Sequence, residues 1–474
     1  MTSKEKILLS IILLGAFFVR LYRFDNPIAD WHSWRQTDTS AVSRNFVLHG
    51  FDILHPKFDD LSNVASGIDN PHGYRFVEFP LYNLFQAGFF SLFDFFTLEQ
   101  WGRLVTIFSS LLSTLFIFLI VKRRLNIKTA FISAFFFAYL PYNIYYGRTI
   151  LPDSTMVTAI LGGTYFFDIW ISSFGMMRYF ILAFLFTSAS LLLKPYAVFF
   201  VLPMIYIAYE RFGFAVFKKW QLWIFFTLSV LPLIFWRKWM MQYPEGIPVN
   251  EWLLNGNGIR FRPAFFRWIF FERITKLISG YLGMIILFAG ISYKKEPQKG
   301  IFFYSFLLSS LLYIFIFATG NVQHDYYQIL IMPTVSIYMG IGTVFIYSFL
   351  QRCIHKVAVV LVVGVCIFLS FFLSWRMVKD YFNINNRSIV IAGRAINRLI
   401  PKDAKIIAPY DGDTSFLYQT ERRGWASFEK PLPDMIKMGA DYLVFLNPTK
   451  KDEELGNQYK IVSKTKEFIL FKLR

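Results

Sequence analysis

At 474 residues, 55% hydrophobic, 20% aromatic and only 17% charged, the chain is more apolar than soluble domains, which carry roughly 45–50% apolar and about 25% charged residues. Its formal net charge of +18 does not point to nucleic acid, because much of the Lys and Arg sits in short stretches between apolar runs, as membrane topology demands. The two cysteines, Cys353 and Cys366, lie at and inside a hydrophobic segment and imply no disulfide framework.

A membrane span needs about 20 mostly apolar residues. The first candidate is 7–24; no small-residue cleavage site precedes Arg20-Leu-Tyr-Arg23, so it is expected to be a retained span rather than a signal peptide. Further spans are expected at 101–121, 129–147, 155–173, 219–236, 277–292, 301–319, 326–349 and 356–375. The stretch 179–209 is interrupted by Lys194-Pro195. Counting it as two short spans places Lys122 to Lys128, Arg178, Arg211, Lys218, Lys219, Lys294, Lys295, Lys299, Arg352 and Lys356 on one side, as the positive-inside rule requires. The same accounting makes Phe79–Phe96 an interfacial or re-entrant helix, since a full crossing would invert every later loop. The expected fold is an α-helical polytopic membrane protein of about eleven transmembrane helices plus interfacial helices, with the N-terminus cytoplasmic.

Residues 1–375 then form the membrane domain, with a first outer loop over 25–100 and a second over 237–276. Residues 376–474 read as a small extracytoplasmic α/β domain. In it Ala404–Pro409, Tyr442–Leu446 and Phe468–Leu473 are strand-like, and Ser388–Leu399 and Pro433–Met438 helical. No internal repeat relates two halves, as it does in many transporters, and no Gly-rich nucleotide motif is present.

Chemistry concentrates on the outer side. Asp30 follows the first span, in Asp30-Trp-His-Ser-Trp-Arg-Gln-Thr-Asp38, and the run to Gly50 reads as a helix lying on the membrane with Arg35, Asp38 and Arg44 on its polar side. Asp153 closes Tyr146-Gly-Arg-Thr-Ile-Leu-Pro-Asp153 on the same side. A carboxylate can accept the proton of an attacking hydroxyl while cations stabilise a departing phosphate, so Asp30 and Asp153 are candidate catalytic residues, and Arg35, Arg44, Arg148 and Lys194 candidate phosphate ligands. Glu78, Tyr82, His324, Tyr326 and Tyr327 are candidate substrate contacts. Plainer readings compete: Asp30 or Asp153 as helix N-caps, the arginines on lipid head groups, Lys194 on freed carbonyls at the break, and the tyrosines in an aromatic belt. His32, His49, His55 and His72 share the first loop with several Asp, yet their spacing matches no ligand pattern; no metal ligands are assigned, and a divalent metal stays open as a cofactor.

The order of these features resembles the GT-C superfamily of membrane glycosyltransferases: first span, Asp30, an outer-loop helix, Glu78-Phe-Pro-Leu-Tyr82, a span ending in basic residues, Arg148 to Asp153, and the Lys194-Pro195 break. It is most similar to the branch of protein O-mannosyltransferases (glycosyltransferase family 39) and aminoarabinose lipid A transferases, over about residues 1–350. The resemblance implies a polyprenyl-phosphate-linked sugar donor and inverting transfer of a hexosyl or pentosyl group on the outer face of the inner, cytoplasmic membrane. The acceptor would be a glycolipid, polysaccharide or protein. It places Asp30 at the family's first-loop catalytic acid, Asp153 at the second acidic position, and Arg148 and Lys194 at the donor phosphate. Two departures stand out: Trp31 follows Asp30 where relatives have an acidic pair, and Phe79 stands where relatives often have lysine. The alternatives are a lipid or sugar transporter or flippase, and a non-catalytic scaffold.

Overall fold

The computed structural model describes residues 2–173, 175–293 and 297–474, without the side chains of 297–300. Lys294 and Lys295 therefore lie outside the described residues, as does the side chain of Lys299. The chain forms two units: residues up to 22, 104–236 and 250–380, and residues 23–103, 237–249 and 381–474.

The first unit is helical, and its outer surface is apolar. On the helix Lys356–Val378, Leu361, Phe368 and Phe372 are exposed, Phe368 by 66%, an arrangement that suits lipid rather than water. Between the helices, where hydrophobicity drives nothing in lipid, small and hydroxyl residues make the contacts. Ser113 and Thr158 hydroxyls meet at 2.9 Å, and Ser370 donates to the Ser279 carbonyl at 2.7 Å. Gly290 and Gly342 let the helices Leu282–Ser292 and Met332–Leu350 touch backbone to backbone: a Cβ on either would fall 1.9 Å from a carbonyl oxygen of the other helix.

Helix length does not by itself yield eleven crossings. Among the described residues five helices are long and apolar enough, those starting at Leu98, Pro195, Trp220, Asp325 and Lys356. A sixth would come from Pro263–Ile278 and Leu282–Ser292, which meet at 113°. Asp153–Ser172 is a continuous helix of 20 residues, and several of the other expected spans are interrupted or short. Pro141 splits 129–147 into Ile127–Tyr139 and Pro141–Tyr146, and Met177–Leu193 stops at Lys194, because proline supplies no N–H and disfavours helix in the residue before it. The first helix, Ser3–Arg20, carries Lys4, Glu5, Lys6 and Arg20 at its ends. Phe79–Phe96 contains the helix Leu81–Leu92 of 12 residues, about 18 Å long and too short for a hydrocarbon core of about 30 Å.

The second unit is built on a five-stranded sheet. Its strands are β1 (Ile406–Ile407), β2 (Gly424–Trp425), β3 (Tyr442–Leu446), β4 (Lys460–Lys464) and β5 (Phe468–Lys472), in the order β2-β1-β3-β5-β4. The β1 strand is parallel to β2 and β3, and β5 is antiparallel to β3 and β4. Both faces are covered. Ile406, Val444, Phe468 and Leu470 pack with Ala29 and the helix Arg387–Leu399, while Ile407, Leu443, Ile469 and Phe471 pack with Leu61, Trp425 and Met435. Residues 59–61 also run against β2: Asp60 and Gly424 form a parallel bridge, and the Leu61 amide donates to the Gly424 carbonyl at 2.6 Å. First-loop and C-terminal segments thus share one core.

The helix Ser33–His49 differs from the membrane-lying helix expected there. It ends at Gly50, as expected, where φ is +92°, but Arg35, Gln36, Thr37, Asp38, Thr39 and Ser40 are all buried. Its polar side chains face protein partners, which remove the cost of burial.

Candidate active site

In the first unit, Asp153 opens the helix Asp153–Ser172 and Lys194 follows the last residue of Met177–Leu193. The Lys194 ammonium donates to both Asp153 carboxylate oxygens, at 2.7 and 2.8 Å, and the residues are 4% and 2% exposed. The N-cap of that helix is Pro152 and Asp153 is its first residue; the Asp153 carboxylate takes its hydrogen bonds from the lysine. The ammonium also lies 5.6 Å from the ring centroids of Tyr196 and Tyr326 and 5.9 Å from that of Tyr327, within reach of cation–π attraction. His324 stacks on Tyr326 at 5.6 Å and meets Trp252 edge-on. Arg148 is buried and donates to the Tyr22 carbonyl at 3.0 Å.

A second acidic centre, Asp325, was given no role in the sequence reading. Its carboxylate accepts from the Tyr146 hydroxyl at 2.5 Å and lies 3.6 Å from the Arg273 guanidinium. The signal for it lies in the sequence, since an acid opening an apolar segment is rarely incidental.

In the second unit, Asp30 is fully buried, accepts from the Gln36 amide at 2.8 Å, and its carbonyl accepts from Asn385 at 3.0 Å. The helix after it is capped at His32 without any side-chain bond, so Asp30 is not an N-cap. Trp31, which stands where relatives carry an acid, stacks on Tyr381 at 4.8 Å. Arg35 and Glu78 form a buried two-bond ion pair at 2.8 and 2.9 Å, and Asp38 pairs with Arg75 at 2.5 Å. These two pairs line one small pocket together with Thr39 and Asn83. Arg44 and Tyr82, expected at the phosphate and the substrate, make contacts with protein groups of the same unit. Arg44 is paired with Asp59 and lies over the Tyr418 ring at 4.0 Å; burial alone would lower its pKa, but Asp59, Tyr418 and Glu99 together outweigh that and hold it above the usual value. The Tyr82 hydroxyl donates to the Gly102 carbonyl at 2.6 Å.

Asp153, Lys194, Tyr326 and Tyr327 are thus brought together in one unit, and Arg35 and Glu78 in the other, which also holds Asp30. Among the described residues no three His, Cys, Asp or Glu side chains converge as metal ligands. His55 instead contacts Asp52 and Tyr243. Asp153 already binds an ammonium, which makes it a poor metal ligand.

Residues 71–236 match the family model described as dolichyl-phosphate-mannose-protein mannosyltransferase. No curated protein matches the chain by sequence. Among solved structures, ArnT from Cupriavidus metallidurans bound to undecaprenyl phosphate is similar at a TM-score of 0.66 and 11% identity, over 99% of this chain and 98% of that one. The oligosaccharyltransferase of Archaeoglobus fulgidus in its apo form is similar at 0.59 and 12% identity, over 94% of this chain and 70% of that one. The oligosaccharyltransferase AglB of the same organism, in complex with an inhibitory peptide and a dolichol-phosphate, is similar at 0.58 and 11%, over the same shares. The chain thus shares its fold with ArnT and with the Archaeoglobus fulgidus oligosaccharyltransferase over nearly its whole length, and its residues 71–236 match the mannosyltransferase family model, in keeping with the resemblance drawn from motif order.

Proposed function

We propose that this protein is an inverting glycosyltransferase that moves a sugar from a polyprenyl-phosphate donor to a hydroxyl acceptor on the outer face of the cytoplasmic membrane. The observation that carries this reading is the Lys194–Asp153 pair, buried among tyrosines in a helical unit whose outer surface is apolar. An ion pair so placed is costly to bury, and ionisable groups inside membrane units mark functional sites by default. The ArnT and AglB structures, solved with undecaprenyl phosphate and dolichol-phosphate, support a lipid phosphate as the donor's leaving group.

The chemistry asks little of the protein. The acceptor oxygen attacks the anomeric carbon, the bond from that carbon to the phosphate oxygen breaks, and its electron pair leaves with the phosphate. A phosphate leaves as an anion, so it needs positive charge rather than a general acid; Lys194 supplies it, held in place by Asp153, with Arg148 in the same unit as a second cation. Asp30 takes the acceptor proton, kept in orientation by Gln36. Arg35, Glu78, His324, Tyr326 and Tyr327 contribute to substrate binding. Asp30, Asp153 and Lys194 are buried in this structure, so substrate has to open a path to them, as lids and loops do in many enzymes. No step is routed through a metal.

The reading includes eleven spans, a cytoplasmic N-terminus and an extracytoplasmic 376–474 domain. Purified protein reconstituted with labelled polyprenyl-phosphate sugars tests it: label should leave one donor lipid, and where it goes identifies the acceptor as glycolipid, polysaccharide or protein. Asp30→Asn should lower that transfer by roughly a hundredfold or more with the unfolding midpoint unchanged. Wild-type turnover in the variant would remove Asp30 from its role.

A further inference from the structure

The ends of three helices in the first unit frame a charged cleft that the transfer reaction does not use. Leu98–Arg124 ends in Arg123 and Arg124, Asp153–Ser172 carries Asp168 in its last turn but one and Ser172 at its end, and Leu202–Phe212 contributes Glu210 and Arg211. These six residues line a cleft of about 310 Å³, at the lower end of the roughly 300–1,000 Å³ usual for ligand sites.

Its charges are ordered. Arg124 gives Asp168 two hydrogen bonds, at 2.5 and 3.0 Å, lies against Glu210, and sits 4.6 Å over the Phe302 ring. Arg123 adds a bond to Asp168 at 2.8 Å and one to Ser172 at 2.6 Å. Both carboxylates are therefore answered within the network. Three arginines against two acids leave one positive charge (3 − 2 = +1). Arg211 is exposed and makes no ion pair or hydrogen bond among the described residues, so that surplus charge faces the opening.

The residues flanking Arg211 in the chain show what surrounds it. Tyr209, Phe214, Phe217 and Trp220 are exposed by 45, 78, 67 and 64%, beside Lys218 and Lys219. Exposed aromatics interleaved with lysines are the signature of the depth where lipid head groups meet water. In the proposed topology Arg123, Arg124 and Arg211 all belong to the inner side, where anionic lipids gather and basic pockets between helices bind their head groups. We infer that this cleft holds the phosphate of an anionic membrane phospholipid, with Arg211 and the exposed edge of Arg123 as its ligands and the Arg124 network as its frame. The inference rests on the membrane topology in the proposed function and is independent of sugar transfer.

Native mass spectrometry of the full chain, titrated in detergent with phosphatidylglycerol or phosphatidylcholine, tests it. Phosphatidylglycerol should be retained preferentially, and Arg211→Gln should lower that retention about fivefold, the weight of one cation at such a surface. Arg178→Gln, a basic residue expected on the same side that does not line the cleft, should leave retention unchanged. Equal retention of the two lipids, or an unaltered Arg211→Gln, would overturn the inference. So would inorganic phosphate displacing the lipid at millimolar concentration, which would make the cleft a site for free anions. Donor turnover measured alongside keeps this outcome separate from that of the proposed function.

Discussion

A lysine buried beside an aspartate can be a clamp or a tool, and paired substitutions separate the two. Removing one partner strands the other charge in a dry interior, so Lys194→Gln should destabilise the protein by about 3–5 kcal/mol. Adding Asp153→Asn removes the stranded charge and should restore most of that loss. If the pair only holds helices, the double variant regains transfer with its stability; on the proposed function it regains the unfolding midpoint and stays inactive. Asp30, Asp153, Arg148 and Lys194 stand out in the sequence because each is an ionisable residue near a proline, a glycine or a span end, and the structure buries all four. Their partners do not stand out. Glu78 does not announce that it will meet Arg35, 43 residues earlier in the chain, and although Gln36 and Tyr196 lie close in sequence to Asp30 and Lys194, their residue types do not single out those charges. Arg44 and Tyr82, singled out by residue type, make contacts inside the protein that their own positions in the sequence do not reveal: Arg44 with Asp59 and the Tyr418 ring, and Tyr82 with the Gly102 carbonyl.

Elements were legible where one pattern governed them. The strand Tyr442–Leu446 has the expected bounds and Phe468–Lys472 nearly so, since strands covered on both faces read as continuous apolar runs. Gly424–Trp425 is too short to carry a pattern, and Lys460–Lys464, an edge strand with mixed polarity, resembles a loop. The segment 59–61 was invisible as sheet for a different reason: the strand it pairs with is β2, more than 360 residues away, and its own residues include two aspartates. One of them makes this junction pH-sensitive. Asp60 is buried, and burial pushes its carboxyl up to about 6, against the opposing bonds from Ser62 and the Ala426 amide. A raised acid pKa favours the folded state fully below the unfolded value of 3.8, and that advantage is lost as pH rises through about 6. The span is roughly two pH units, on the order of 3 kcal/mol. Unfolding midpoints should therefore fall between about pH 4 and pH 6 by this contribution. Asp60→Asn keeps the hydrogen-bonding shape and should flatten that part of the profile; an unchanged slope would assign it to other groups.

For the whole molecule, composition and loop charge announced the membrane long before any helix was placed, because lipid imposes its demands on every residue of a span. The number of crossings was less legible, since Pro141, Lys194-Pro195 and Gly280 break helices that hydropathy alone would draw as continuous. The division of the chain was harder still: residues 23–103 and 381–474 share a core through Ala29 and Leu61, which no local pattern records. Deleting 381–474 should consequently leave residues 50–80 sensitive to limited proteolysis and abolish transfer; a protected first loop in the truncated protein would contradict this. The Asp60–Gly424 bridge extends that dependence to the order of synthesis. The 59–61 segment emerges from the ribosome hundreds of residues before the strand it will join, at about 5–20 residues per second, so its docking waits tens of seconds for β2. A chain stalled between these points would display β1 with no completed neighbour and the first loop with no floor, the exposed edge and bare apolar surface that quality-control proteases and aggregation act on. Maturation of this protein is therefore gated by its final hundred residues, and late premature-stop variants should vanish from the membrane rather than persist as partly active enzymes.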